Sequence, residues 1–478
     1  MKNEMKRREF MKVAAAGAGG ALALGNSIIL ASDLKTKGSR LVSPGCRGSK
    51  VKVARIYMAN PEGLWPKPNL DLKNEVRIYE NKFAKLKDEL SDVEFVVDQL
   101  ITAPDQIAPI MGKLKEVDGI LVIHFSLGIT SILEEILAAG TPTMVFAVPY
   151  SGHDWTHYGA LRKQKLGEKM ECLLTSDYKQ LAAAIRPFRA IHHLREARIL
   201  NNTDDFPVEY AESVKNKFGT EIKQVTRERV IDAYNAVDKN EAAAEAERWI
   251  NGALQVVEPS REEIIKSCKL ALAFENLLAE ENATVMTVDC YGSMYHKHPA
   301  FPCIGFTRLN NMGLGGICES DVQCAVTHII FQGLAGKPGF ISDPTMDVSN
   351  NSINLAHCLG TTKMDGPDKP ACPYKIRTIM ERREGAVPQV KMDIGRKVTQ
   401  ALLAGTDLLL YFTGEIIDAP DTDRGCRTKI TVRVDGCAEK LWQNWSHGLH
   451  RQTCYGDISK ELEHFCRFEG IKIVNEAV

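Results

Sequence analysis

Gly119-Ile-Leu-Val-Ile-His124 is apolar at five successive positions, with no alternation between faces, and a helix-forming stretch flanks it on each side. A run of this kind is a strand buried on both faces, as in a parallel sheet. The pattern repeats outward from it. Before it come a strand at Val51–Met58, helical period over Leu72–Leu90, a strand at Val93–Val97 and helical period over Pro104–Lys115. After it come a helix at Thr130–Ala139, a strand at Thr143–Val148 and a closing strand at Cys172–Thr175. Strands alternating with helices predict a parallel, doubly wound domain over residues 51–175. It contains no G-x-G-x-x-G and no Walker pattern, so nucleotide binding is not supported.

A second α/β region spans 176–338. Helical spacing is read over Tyr178–Phe188, Arg227–Trp249, Arg261–Glu281 and Asp321–Leu334. Strands are read at Ala197–Leu200, Ile222–Val225 and Val285–Asp289. From about Gly339 the texture changes to short strands separated by turn residues: Asn354–Cys358, Tyr374–Met380, Val387–Met392, Asp407–Phe412, Thr428–Val434 and Leu449–Cys454. A late helix at Ser459–Arg467 and a strand at Ile471–Val474 end the series. The predicted fold class is therefore α/β: two Rossmann-like doubly wound domains, then a β-rich, barrel-like C-terminal domain over 339–478.

The chain opens with Arg7-Arg8-Glu9-Phe10-Met11-Lys12 and a soft apolar run, Val13–Leu24. This predicts a twin-arginine signal peptide over 1–32, a polar linker over 33–50, a periplasmic or otherwise exported protein, and the twin-arginine export machinery as a partner. The run is too short and too Gly-rich to span a membrane. Charged residues make up 25% of the 478, with a net charge of -1, which argues against nucleic acid as the main partner. The 13 cysteines include no C-x-x-C pair, so zinc-ribbon and thioredoxin spacings are absent. Some are candidates for pairing in an oxidising compartment, and buried packing is the plainer role for most.

Three groups in the C-terminal half sit in unusual settings. Glu319 lies where a Gly-rich loop enters an apolar helix, Asp343 ends a short apolar strand before Pro344, and His450 enters a strand. Taken singly, a helix N-terminus, a turn and a packed histidine account for them equally well. Together, two carboxylates and an imidazole are a donor set for a hard divalent ion. Such an ion polarises a carbonyl and its neighbouring hydroxyl, and a carboxylate beside it moves a proton between adjacent carbons.

Cys318–Pro338, Ile341–Pro344, Leu355–Cys358 and His450–Asp457 resemble the L-fucose isomerase-like and L-arabinose isomerase-like superfamily. The resemblance covers the chain from about residue 50, and is sharp from Cys318 onward. It implies a Mn²⁺-dependent (or Mg²⁺- or Co²⁺-dependent) aldose–ketose isomerase working through an enediol, with a small sugar as substrate and a homo-oligomeric assembly. By position, the metal ligands are Glu319, Asp343 and His450, and Glu319 and Asp343 also shuttle the proton. His357 is similar to a further family histidine and is assigned to substrate contact.

Other residues are placed by their position. His153, Asp154 and Trp155 follow a parallel strand and are candidate sugar contacts, or a packed loop. The spacing of His153 and His157 matches a zincin, but Asp stands where that motif has Glu. Asn310, Asn311 and the turn Gly313–Gly316 offer close backbone approach to a ligand, and Trp442 and Trp445 offer stacking faces. Lys363, Arg377, Arg427 and Arg451 are candidate partners for an acidic sugar. Two other functional readings stand beside the isomerase: a non-catalytic periplasmic sugar-binding protein, and a diverged member acting on a modified sugar.

Overall fold

Four sheets carry the fold in the computed structural model, which describes residues 41–43, 46–47 and 49–478. The export signal at 1–32 lies outside the described residues. Within the segment read as a linker, Leu41–Ser43 and Cys46–Arg47 pair as a short antiparallel hairpin.

The first sheet contains β1 (Val51–Met58), β2 (Val93–Ile101), β3 (Gly119–His124), β4 (Thr143–Ala147) and β5 (Met170–Leu174). All pairs are parallel, in the order β2-β1-β3-β4-β5. β3 is buried along its whole length, which explains its unbroken apolar pattern. The helix read over Pro104–Lys115 is instead two 3₁₀ turns, Pro104–Gln106 and Ala108–Ile110, and a short helix, Met111–Lys115. Pro104 and Pro109 lack the N–H groups that a continuous helix needs. The segment read as a loop at His153 turns helical at Trp155–Leu161.

The second sheet is built from β6 (Arg198–Asn202) and β7 (Glu221–Gln224). A two-residue strand, β8 (Gln255–Val256), pairs elsewhere, and β9 (Val285–Val288) and β10 (Gly315–Cys318) complete the sheet. The order is β10-β9-β6-β7, again all parallel. β10 replaces the turn read at Gly313–Gly316. A Cβ on Gly315 would lie 2.7 Å from Val285 Cγ2, and one on Gly316 would lie 2.3 Å from Phe306 Cα. The glycines are there for close packing, and their low strand propensity hides the strand. The long helix read over Arg227–Trp249 is broken after Ala236, where Asp238 accepts from the Asn240 and Glu241 N–H groups and starts a new helix, Lys239–Gly252. Helices at Val208–Phe218 and Cys303–Asn311 were not anticipated.

The C-terminal region contributes β11 (Phe340–Asp347), β12 (Ser352–His357), β13 (Tyr374–Arg377), β14 (Val387–Val390), β15 (Lys397–Ala404), β16 (Leu408–Asp418), β17 (Thr428–Val434), β18 (Arg451–Tyr455) and β19 (Lys472–Asn475). Six of these close into a barrel in the order β15-β18-β11-β12-β17-β16, with β15 and β16 paired to shut it. β19 adds in parallel along the first half of β16. β13 and β14, read as part of the barrel, form a separate three-stranded sheet with β8. The Tyr374 hydroxyl donates to the Trp249 carbonyl at 2.8 Å, and Arg377 pairs with Glu258, so this hairpin is tied to the segment after the helix Lys239–Gly252. The short strand read as ending at Asp343 continues through Pro344 to Asp347. β18 pairs with β11 only as far as Ser342, so the donor that Pro344 lacks is not needed on that side.

Among the described residues no helix is long and apolar enough to cross a membrane. The cysteines with described side chains are all free thiols.

The helix Val322–Ala335 is buried almost throughout and sits between the second sheet and the barrel. Its closest neighbour is the helix Arg186–Glu196, where a Cβ on Gly333 would lie 2.3 Å from Ala190 Cα. Gly333→Ala is therefore expected to destabilise the protein by about 1–3 kcal/mol through overpacking. Gly112→Ala, in a helix with no atom within 4 Å of the new Cβ, is expected to be neutral or to stabilise by up to about 1 kcal/mol. Denaturant unfolding of the two variants checks the contrast.

Candidate metal centre

Glu319 immediately follows β10, at the carboxyl edge of the second parallel sheet, where ligands of such sheets are usually met. Glu319 and Ser320 both hold left-handed backbone, with φ of 60° and 55°. Such residues cost of order 1–3 kcal/mol each and persist where the surroundings over-determine them. Here the surroundings are specific. The Ser320 N–H bonds the Val288 carbonyl at 3.1 Å, its hydroxyl donates to Asn201 Oδ1 at 2.6 Å, and Asp321 caps the helix Val322–Ala335 through the Cys324 N–H at 2.8 Å. The double turn throws the Glu319 side chain away from its own sheet and toward the barrel rim.

The barrel supplies the other groups by register. Ser342 pairs with Arg451 and Asp343 with Ala356. Continuing those ladders by one residue sets His450 across from Asp343, and His357 across from Ser342. His450 Nε2 is 3.2 Å from Asp343 Oδ1 and 3.7 Å from Glu319 Oε2, and His357 Nε2 is 3.5 Å from Glu319 Oε1. The two imidazoles meet edge to face, with centroids 5.5 Å apart. Donor atoms of Asp343, His357 and His450 all fall within 4.8 Å of one another, as do those of Cys318, Glu319 and His357.

These residues fit a divalent cation. Contacts of 3.2–3.7 Å between these donors compare with roughly 3 Å for adjacent donors around an ion held at about 2.1 Å; Asp343, His357 and His450 form one donor group, and Glu319 would have to move toward them to share its ion. Asp343 Oδ1 and His357 Nδ1 are buried and make no hydrogen bond, the Asp343–His450 contact being close but poorly aligned. Two carboxylates with two imidazoles are a set for Mn²⁺ or Co²⁺ more than for Mg²⁺.

Electrostatics say the same. Burial works to lower the His450 pKa, but the bond to Asp321 and the close carboxylates of Asp343 and Glu319 outweigh it and raise it to about 10. Burial alone would raise Asp343, yet His450 and His357 hold its carboxyl below the ordinary value. Without a cation, then, the His450 proton is what separates the acids, and a cation entering the centre displaces it. His450 Nδ1 donates to Asp321 Oδ2 at 3.1 Å. That contact fixes the tautomer and aims Nε2 at the acids, as carboxylates behind ligand histidines do.

Glu319, Asp343 and His450 are brought together as the sequence suggested. His357 joins them as closely as any, a place the short β11–β12 hairpin had concealed. Asp321 was missed, although Ser320-Asp321 before an apolar run is a cap pattern that marks it. His153, Asp154 and Trp155 make no hydrogen bond, ion pair or ring contact with these four among the described residues. His153 stacks on Trp65 at 4.4 Å, Asp154 is buried 3.2 Å from His124, and Trp155 is largely exposed. Asn310 clamps both backbone groups of Gly316, a structural task. Arg377 and Arg427 are held by Glu258 and Asp423, Arg451 by Glu476, and Lys363 by the Pro367 carbonyl. Trp445 covers the Arg451 guanidinium at 4.3 Å.

No family model matches the chain. It is similar to two sulfoquinovose isomerases. One, from Alkalicoccus urumqiensis, is 23% identical over 265 residues, or 51% of this chain and 57% of that protein. The other, from Clostridium sp. (strain MSTE9), is 23% identical over 298 residues, or 58% of this chain and 63% of that protein. The match thus spans less than two thirds of either relative's length. Among solved structures, an ABC transporter solute-binding protein from Burkholderia multivorans overlaps 50% of this chain and 80% of its own at 12% identity, with a TM-score of 0.17 that carries no argument.

Asp321→Asn keeps a good helix cap but removes the charge behind His450. It is expected to weaken Mn²⁺ binding about 10–100-fold, measured by isothermal titration, while the folded circular-dichroism spectrum is retained.

Proposed function

We propose that this chain is a divalent-metal-dependent aldose–ketose isomerase acting through an enediol. The observation that carries it is the donor group Asp343, His357 and His450 on the barrel, with Glu319 reaching it from the second parallel sheet through contacts of 3.5 Å to His357 and 3.7 Å to His450. A cation held there, Mn²⁺ or a similar ion, would polarise the sugar carbonyl and the adjacent hydroxyl. Glu319 and Asp343 are placed to do the rest: a carboxylate takes the proton from C2 and returns it to C1, while the O2 proton passes to O1. Atoms and electrons balance without an oxidant or reductant. The similarity to two sulfoquinovose isomerases supports the same chemistry.

Within this reading the two parallel sheets belong to Rossmann-like doubly wound domains, 51–175 and 176–338, ahead of the barrel domain at 339–478. The Arg7-Arg8 segment is an export signal, and the protein works in the periplasm. The protein is a homo-oligomer. Exposed Leu64 and Tyr150, on loops of the first sheet, and Trp155, at the start of the helix Trp155–Leu161, suit a subunit contact, with His153 and Trp155 offered to a sugar in a partner's site and Asp154 holding their turn against His124.

The substrate is an acidic, modified aldose. The names of the two relatives indicate a sulfonated sugar. The four cations picked from sequence are engaged elsewhere, whereas Arg382 is exposed and lies over the rings of Tyr291 and Tyr295, at 5.3 and 4.7 Å. The Tyr291 hydroxyl is in turn 3.7 Å from Cys358 Sγ, next in sequence to His357.

The test is hydrogen–deuterium exchange at C2, followed by NMR in D₂O with Mn²⁺ and a panel of neutral and sulfonated aldoses. Exchange is expected on a sulfonated aldose, abolished by EDTA and slowed about 10²–10⁴-fold by Asp343→Asn. In Arg382→Gln, KM rises for the acidic sugar with little change in kcat. Absence of exchange on every aldose, with metal bound, would contradict the proposal.

A further inference from the structure

A second group of metal-binding side chains stands apart from the four donors above. Cys358 Sγ, Cys426 Sγ and a Glu381 carboxylate oxygen lie within 4.8 Å of one another. Cys426 Sγ is 3.4 Å from Glu381 Oε1, and the Tyr291 hydroxyl is 3.7 Å from Cys358 Sγ. The register of the barrel brings the thiols together. The last pair of the β12–β17 ladder is His357 with Thr428, and the two cysteines lie just beyond it, one past the end of β12 and one ahead of β17. Glu381 arrives from the turn between β13 and β14. The Ile379 N–H bonds the Glu384 carbonyl at 2.9 Å, and the Arg383 N–H bonds the Ile379 carbonyl at 2.8 Å, to close that turn. Cys358 is buried, Cys426 is partly open and Glu381 is exposed, so the cluster is reached from solvent. Neither thiol is in a disulfide, and the isomerase chemistry uses neither.

We propose that Cys358, Cys426 and Glu381 form a second metal site, for a thiophilic divalent cation of the Zn²⁺ class. Tetrahedral Zn²⁺ takes thiolate at about 2.3 Å and carboxylate at about 2.0–2.2 Å, which sets the donors roughly 3.5–3.8 Å apart. The cluster, with all three atoms inside 4.8 Å, is already at or near that spacing. The Tyr291 hydroxyl or a water takes the fourth position. On binding, the two thiol protons leave to solvent and no redox change occurs. Arg382, above the Tyr291 ring, offsets part of the resulting negative charge.

The two sites sort by chemistry. The oxygen and imidazole donors at Glu319 favour Mn²⁺-like ions, and a pair of thiolates favours softer ones. The sulfur site ties three segments together: the end of β12 that carries His357, the β13–β14 turn that carries Arg382, and the loop before β17. It is a clip on the rim of the first centre, and it stands whether or not the isomerase reading holds.

The test uses full-length, metal-stripped protein kept reduced with a non-thiol reductant and titrated with Cd²⁺ as the probe. The ultraviolet thiolate-to-cadmium charge-transfer band reports binding. One Cd²⁺ per chain with that band is expected. The band should be lost in Cys426→Ser, weakened about tenfold or more in Glu381→Gln, and kept in Glu319→Ala, with circular dichroism confirming that each variant is folded. No band in the reduced wild-type protein, or a band that Cys426→Ser leaves unchanged, would overturn the proposal. So would a band that disappears in folded Glu319→Ala, because the thiols would then belong to the first centre.

Discussion

Two half-buried carboxylates, Glu319 and Asp343, face the same imidazole nitrogen from opposite sides, at 3.7 and 3.2 Å. Like charges in one half-buried site repel, and the imidazole that both approach is where a positive charge relieves them. The protonated His450 meets that need in the metal-free chain, and a divalent cation meets it better, because it also engages the free nitrogen of His357. The surrounding architecture keeps this charge problem in one place.

Three devices hold it there. Gly315 and Gly316 let β10 pack against Val285 and Phe306, and Asn310 locks Gly316 from both sides. The two left-handed residues that follow turn Glu319 out of its sheet, and Asp321 uses one carboxylate for two tasks, capping a buried helix and orienting His450. On the barrel side Asp343, His357 and His450 all lie outside the left-handed region. The antiparallel ladders of β11 with β12 and β18 fix three side chains on one rim. The centre thus joins a strained donor from a parallel sheet to relaxed donors from a closed barrel. Strain at a ligand-bearing residue, supported by its neighbours, is a common arrangement at functional sites.

Much of this was legible in the amino-acid sequence, and the failures have physical causes. Buried parallel strands such as β3 announce themselves by continuous apolar runs, and Glu319, Asp343 and His450 stood out by their settings. β10 was hidden because packing demanded glycine where propensity predicts a turn. β11 was read only as a short strand ending at Asp343, because Pro344 hid its second half; that proline is tolerated because β18 stops pairing at Ser342. β13 and β14 read correctly as strands, but their partner is the two-residue β8, far away in sequence and too short to recognise. Asp321 escaped notice, and His357 was assigned to substrate contact only, for a related reason: their places depend on what stands across a ladder or behind a ring, which linear spacing does not display.

The central claim is that Glu319, Asp343, His357 and His450 share one cation. The most direct measurement is anomalous diffraction at the manganese edge from crystals soaked in Mn²⁺. The account predicts one strong peak with two carboxylate oxygens and two imidazole nitrogens at about 2.1–2.3 Å, and no such peak in Glu319→Ala crystals. A peak elsewhere on the chain, or none at concentrations that saturate binding in solution, would contradict it.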